Sequence, residues 1–70
     1  MNTLTNAQIA VINSPLAMKI ITNEAKAVIA SKNKTTVAMV EVALNAGTEK
    51  VIAMYAKLLS EGINAAAILV

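Results

Sequence analysis

The chain contains no cysteine, no histidine and no arginine, and Tyr55 is its only aromatic residue. Without cysteine it has no disulfides, thiolate metal ligands or cysteine nucleophiles, and without histidine it lacks the commonest general base. A nucleic-acid partner is not expected either, because bidentate contacts need guanidinium groups and base stacking needs several aromatic rings. We therefore expect no enzymatic activity, no metal or cofactor, and no nucleic acid partner.

Glycine and proline are also scarce, at two residues and one residue. What the chain has instead is a 57% hydrophobic composition dominated by Ala, Val, Ile and Leu. This composition predicts an all-α fold, a compact bundle of four or five short helices forming a single domain over residues 1–70. A domain this small buries only about 60% of the surface of its unfolded chain, so it needs a rich core or a covalent staple.

Capping signals divide the chain into four helices, and Thr5 can cap the first of them. Ser14 is a good N-cap and Pro15 suits the first helical position, which makes the second helix the clearest. Asn33 or Thr35 is expected to cap the third helix, and Gly62 to end the fourth. The predicted helices run from Asn6 to about Ile12, from Pro15 to about Ser31, from about Thr36 to Ala46 and from about Glu49 to Ser60.

The most specific local signal is the corner between the third and fourth helices, Asn45-Ala46-Gly47-Thr48. Gly47 supplies the left-handed backbone position that commonly ends a helix. Thr48 can cap the next helix through its hydroxyl, and Glu49 places negative charge at that helix's positive end. Asn45, Gly47 and Thr48 therefore predict a helix-turn corner.

The predicted core is drawn from the helical apolar positions. Glu41 and Asn45 are expected to mark the solvent side of a third helix that is otherwise apolar over residues 37–44. The last segment, residues 63–70, is apolar to its end, which predicts that it is buried, paired or covalently continued. The core residues expected are Ile20, Ile21, Val28, Val37, Val40, Leu44, Val51, Ile52, Tyr55, Leu58 and Leu59.

No membrane-spanning segment is expected. The longest uncharged run, Met1 to Met18, is interrupted by polar residues and by Pro15, whereas a span needs about 20 mainly apolar residues. No secretory signal is visible, because the first positive charge is Lys19 and no basic region precedes an apolar stretch. This pattern fits a mature product.

Positive charge is concentrated in residues 15–34, where four lysines stand against Glu24 and give a net +3. These lysines have two interpretations. They form either a solvated face that keeps an apolar protein in solution, or a surface that docks to anionic membranes with about 1 kcal/mol per lysine. The candidate membrane-binding residues are Lys19, Lys26, Lys32 and Lys34.

Residues 35–59 resemble the helix–(N)AG–helix segment of circular bacteriocins of the circularin and enterocin type. The resemblance is carried by Thr35-Thr36-Val37, by Val40 to Val42, and by Leu44-Asn45-Ala46-Gly47-Thr48 followed by an aliphatic helix. It implies a saposin-like globule, and a secreted peptide that kills related bacteria by permeabilising their membranes. It also implies a head-to-tail peptide bond, here between Met1 and Val70, which would remove an apolar C-terminus and both terminal charges.

The preferred functional interpretation is a membrane-active antibacterial peptide. Its lysines would engage anionic lipid, and the apolar third helix or the region of Val70 and Met1 would then be presented to the membrane. A second interpretation is a structural subunit that buries its excess apolar surface against copies of itself, in a filament, shell or obligate oligomer. A small regulatory protein that contacts another protein through its helices is a third.

Overall fold

The computed structural model of the protein describes residues 4–69, which fold into four helices. The all-α bundle predicted from the sequence is confirmed. The proposed junction residues, Met1 and Val70, lie outside the described residues. The helices are α1 (Asn6–Ile12), α2 (Pro15–Lys32), α3 (Val37–Asn45) and α4 (Glu49–Leu69).

The first two helices begin at the caps that the sequence indicates. The Thr5 hydroxyl accepts a hydrogen bond from the Gln8 amide (3.1 Å), and the Gln8 side chain accepts one from the Thr5 amide (2.8 Å), which completes a capping box. Ser14 caps α2 by accepting from the Ala17 amide, and Pro15 occupies the first helical position. Both starts are therefore local properties of the sequence.

The cap predicted for α3 is wrong by at least one residue. Thr36, rather than Asn33 or Thr35, accepts a hydrogen bond from the Met39 amide (3.2 Å) and is the N-cap. Asn33 instead closes α2, because its side-chain amide donates to the Ile29 carbonyl (2.8 Å). Its side chain is thereby held at the carbonyl end of α2, and Thr36 supplies the acceptor at the start of α3.

The break between α3 and α4 lies where the sequence predicted a corner, since α3 ends at Asn45 and α4 begins at Glu49. Gly47 adopts a left-handed backbone with φ of +77°. The Thr48 amide donates to the Ala43 carbonyl (3.1 Å), which satisfies one of the free carbonyls at the end of α3. The Thr48 carbonyl then accepts the first hydrogen bond of α4, from the Ile52 amide (3.0 Å). Asn45 is the last residue of α3.

The corner between α2 and α3 uses the same hydrogen bonds with a different residue. Lys34 is left-handed, with φ of +52°. The Thr35 amide donates to the Ala30 carbonyl (2.9 Å), and the Lys34 amide to the Ser31 carbonyl (3.3 Å). This is the same helix-ending motif as at Gly47, formed here by a residue with a side chain.

The sequence predicted that the fourth helix ends at Gly62. This prediction is wrong, because α4 continues to Leu69. Gly62 is a point of close approach between helices: a Cβ atom there would lie 2.8 Å from Cγ2 of Ile21 in α2. At the other end of α2, Ile29 clusters with residues of the first turns of α4, including Met54. The two helices are therefore antiparallel, and glycine lets them touch.

The core is thin. Among residues 4–69 the buried apolar side chains are Val11, Ile21, Ala25, Ile29, Ala30 and Val40. Of the predicted core, Ile21 and Val40 are buried, and the half-buried members are Val28, Leu44, Val51, Tyr55, Leu58 and Leu59. Ile20, Val37 and Ile52 are exposed, so their prediction is wrong. The inward face of α2 carries Ile21, Ala25 and Ile29. Ile20 precedes Ile21 by one residue, about 100° around the helix, and therefore lies outside this face.

The surface area is large for a protein of this mass. The chain exposes 5130 Å², whereas a compact monomer of 7.3 kDa is expected to expose about 4,200 Å². The radius of gyration is 12.8 Å, against about 11 Å for a compact domain of 70 residues. The helices thus pack openly and leave apolar surface uncovered.

Candidate interaction surfaces

The four candidate lysines do not form one compact patch. Lys19 and Lys26 lie on the same side of α2, about two turns apart. Lys32 lies about 140° around the helix from Lys19 and about 20 Å further along its axis. Lys34 follows in the corner after α2. The positive charge therefore divides between the start of α2 and its far end.

Lys26 is engaged within the protein. Its ammonium nitrogen lies 3.9 Å from Oε1 of Glu41 on α3, and the two side chains are 22% and 53% exposed. An ion pair with this exposure contributes about 0–1 kcal/mol, but it reduces the availability of Lys26 to an external anion. Glu41 is on the solvent side of α3, as predicted. Among residues 4–69, Lys19, Lys32 and Lys34 are exposed and form no ion pair.

Large apolar side chains are exposed on both sides of the last turn of α4. Ile20 and Leu69 line the same groove, and Leu16 precedes Ile20 by one turn of α2. Ile68 adjoins the first turn of α1, where Leu4 lies just before the N-cap. We call this surface the apolar end; its members and their exposed fractions are Leu4 51%, Leu16 69%, Ile20 57%, Ile68 83% and Leu69 88%.

The two ends of the described chain meet at this surface. The side-chain amide of Gln8 in α1 donates a hydrogen bond to the side-chain oxygen of Asn64 in α4. Thr5, Ala67 and Ile68 line a cavity of about 350 Å³ between the same two helices. The start of α1 is therefore held beside the last turn of α4.

A larger groove, of about 470 Å³, opens between α2 and α4. Its size follows from Gly62, which brings the helices together, and from Ala65 and Ala66, whose side chains are too short to fill the space beyond. Glu24 and Glu61 are exposed at its sides. We call it the α2–α4 groove; its lining is Ile20, Ile21, Glu24, Ala25, Val28, Leu58, Glu61, Gly62, Ala65, Ala66 and Leu69, which includes no lysine.

The third helix has an uncovered apolar side. Val40 faces inward and is 3% exposed, whereas Met39 and Val42 are 56% and 58% exposed. We call Met39 and Val42 the outer face of α3. Lys32 and Lys34 lie immediately before this helix. The outer face is therefore apolar and has positive charge at its N-terminal end.

The fourth helix is long and apolar enough to cross a bilayer, judged by length and composition alone. Its 21 residues extend about 31 Å, close to the thickness of the hydrocarbon core of a membrane. The sequence did not predict such a segment, because Gly62 was expected to end the helix. Among the described residues this helix packs against α1, α2 and α3.

The groove was not predicted as a site, whereas the apolar third helix was expected to be presented to the membrane. A usable signal was present: Gly62 and Ala66 are four residues apart, a spacing of small residues that permits close helix packing. Among residues 4–69 no group of three or more carboxylates could hold a metal ion. The chain matches no protein-family model, no curated protein and no solved structure.

Proposed function

We propose that the protein is a secreted, membrane-active antibacterial peptide that binds anionic membranes and permeabilises them. The observation that carries the proposal is the apolar end, where five large aliphatic side chains are exposed around the last turn of α4 and the starts of α1 and α2. A soluble monomer seldom leaves such a cluster uncovered unless it meets lipid or another protein. The antibacterial role and secretion rest on the resemblance of residues 35–59 to circular bacteriocins.

The apolar end can supply a favourable energy of insertion. Complete burial of one leucine or isoleucine side chain contributes about 1.5–3 kcal/mol, and Ile68, Leu69 and Leu16 are the most exposed members of the set. Lys19 lies one turn after Leu16 and can extend its ammonium group to the headgroups while its methylenes stay in the apolar layer. Apolar and cationic groups therefore act on the same region of membrane.

The remaining lysines contribute according to their distance from that region. Lys32 and Lys34 lie at the opposite end of α2, about 20 Å from Lys19. They reach headgroups only if the molecule, which measures 35 × 26 × 18 Å, lies along the surface. We expect Lys19→Gln to weaken membrane binding about fivefold, near 1 kcal/mol. Lys26→Gln should have less effect, because Lys26 is paired with Glu41.

A head-to-tail bond between Met1 and Val70 belongs to the same proposal. It is supported by the contact between the start of α1 and the last turn of α4, which brings residues 5 and 68 to one cavity. Such a bond would lower the entropy of the unfolded chain. The intact mass of the natural product tests it: circularity predicts a mass one water below that of the linear chain. A linear mass would remove circularity and leave membrane activity to be tested by itself.

Dye release from vesicles rich in phosphatidylglycerol tests the membrane proposal. Leu16→Gln in the apolar end is compared with Val42→Gln on α3, two aliphatic residues of similar exposure, 69% and 58%. We expect Leu16→Gln to raise the concentration for half-maximal release about tenfold, near 1.4 kcal/mol. Val42→Gln should release dye like the unchanged protein. Equal effects, or no release by the unchanged protein, would refute the proposal.

A second candidate function is a structural subunit that assembles with copies of itself. It is favoured by the surface area, which exceeds that of a compact monomer of this mass by about 900 Å². A standard protein interface buries about 800 Å² on each partner. Light scattering in buffer without lipid tests it: a stable assembly supports this function, and a monomer refutes it.

A further inference from the structure

We propose that the α2–α4 groove binds the outer face of α3 of a second copy, in a head-to-tail contact. The proposal rests on the second candidate function and specifies which surfaces meet. It concerns a different part of the molecule from the apolar end, apart from Ile20 and Leu69, which belong to both.

The charges of the groove disfavour lipid as its occupant. Glu24 and Glu61 line it and no lysine does. Transfer of carboxylates toward hydrocarbon is unfavourable, and anionic headgroups repel them. An apolar surface with negative charge at its sides instead fits an apolar helix that carries positive charge at one end.

The outer face of α3 has these properties. Met39 and Val42 are more than half exposed, and both face away from the side on which Val40 is buried. Lys32 and Lys34 precede the helix, are exposed, and form no ion pair among the described residues. The outer face of α3 thus offers apolar side chains to the apolar groove, and the lysines before it offer positive charge to the two glutamates.

The two surfaces also agree in length. Gly62 lies against Ile21, so Glu61 and Glu24 stand at nearly the same level on opposite walls of the groove. From Glu61 to Leu69 the wall formed by α4 extends about 12 Å. The nine residues of α3 extend about 13 Å. With the lysines placed at the two glutamates, Met39 and Val42 lie along the alanine-lined part of the groove.

Lys34 provides an independent indication that its charge has a role. A left-handed backbone costs a residue with a side chain about 1–2 kcal/mol, and this cost is absent for glycine. The other corner with the same motif uses Gly47. Lys34, at φ of +52°, therefore places a positive charge at a position where glycine would avoid this conformational cost.

The contact joins two different surfaces of the chain, the α2–α4 groove and the outer face of α3. Each copy presents one groove and one outer face of α3. Repetition of such a contact produces a ring if the rotation between copies closes, and a filament if it does not. The smallest closed assembly is a dimer in which each groove binds α3 of the other copy about a two-fold axis.

Charge reversal tests the contact. All four residues concerned, Glu24, Glu61, Lys32 and Lys34, are exposed, so helical content by circular dichroism should stay unchanged. We expect the double variant Glu24→Lys/Glu61→Lys to need at least ten times the protein concentration of the unchanged chain before light scattering detects assembly. The double variant Lys32→Glu/Lys34→Glu should show the same loss. An equimolar mixture of the two double variants, and the chain carrying all four changes, should assemble again. Val42→Gln should reduce assembly, whereas Leu16→Gln should not.

The control is Glu49→Lys with Lys50→Glu, which rearranges exposed charge elsewhere without changing the net charge, and it should assemble normally. If the unchanged chain is a monomer, both the second candidate function and this contact are refuted. If it assembles but the reversals have no effect, or the mixture does not recover, the contact alone is refuted. Assembly that occurs only on vesicles would also refute it, in favour of lipid as the occupant.

Discussion

The two glycines of this chain have opposite structural roles. Gly47 ends a helix with φ of +77°, and a Cβ there would meet no atom within 4 Å. Gly62 lies inside α4 and has no unusual φ, but a Cβ there would lie 2.8 Å from Ile21. The first glycine is required by its own backbone, and the second by the helix across from it.

The difference explains why one role was predicted and the other was not. A left-handed helix end is signalled by neighbouring residues, here Asn45 before the glycine and Thr48 after it. A close contact depends on a residue far away in the chain, Ile21, which local patterns do not reveal. The same residue type therefore carries a local signal in one place and a tertiary signal in the other.

The largest effect is expected at the helix crossing. Gly62→Val should destabilise the fold by about 3 kcal/mol, because the new side chain overlaps Ile21, whose branched side chain has few alternative rotamers in a helix. A chain of this length has a total stability of only about 4–10 kcal/mol. Urea denaturation followed by circular dichroism measures the loss.

The partner residue supplies the control for this prediction. In an Ile21→Ala background the overlap is removed, so Gly62→Ala should stabilise the helix by about 1 kcal/mol through its better helix propensity. If Gly62→Ala had the same effect in both backgrounds, the contact with Ile21 would not be the reason for glycine.

A smaller effect is expected at the corner. Gly47→Ala should destabilise the fold by about 1 kcal/mol, since alanine must adopt a left-handed backbone there. The space around Gly47 is open, so the penalty is conformational and not steric. Gly47→Asn should cost less than half as much, because asparagine tolerates this conformation. Thermal unfolding of the two variants measures the difference, and equal losses would contradict the conformational explanation.

Local sequence signals sufficed for most of the fold. The caps at Thr5 and Ser14, the proline at the start of α2 and the corner at Gly47 all depend on residues within one turn of each other. The length of α4 and the identity of the inward stripe of α2 did not follow from such signals. Both are decided by the packing of α2 on α4, a contact between residues about 40 positions apart in the chain.

The candidate surfaces were less predictable than the fold. The lysines and the apolar third helix were identified from the sequence, but the sequence does not show that Lys26 is paired with Glu41 or that Ile20 and Leu69 line one groove. The groove was missed because it exists only once Gly62 is inside a helix. A surface assembled from three helices requires their packing to be known.

The smallest effect is expected at Lys34, which has the left-handed conformation of Gly47 without being glycine. Lys34→Gly should stabilise the fold by about 0.5 kcal/mol, because relief of the left-handed strain exceeds the extra entropy of the unfolded chain. This corresponds to a rise in Tm of roughly 3 °C for a domain of this size. Lys34→Ala is the control, since it removes the same charge but keeps the strain and should leave Tm nearly unchanged.

The same two variants separate stability from assembly. Both remove the positive charge before α3, so both should weaken the head-to-tail contact, while only Lys34→Gly raises Tm. A variant that becomes more stable and assembles less would show that the lysine is kept for its charge and not for the fold. If Lys34→Gly and Lys34→Ala shifted Tm equally, the two corners would not differ in strain, and the comparison with Gly47 would fail.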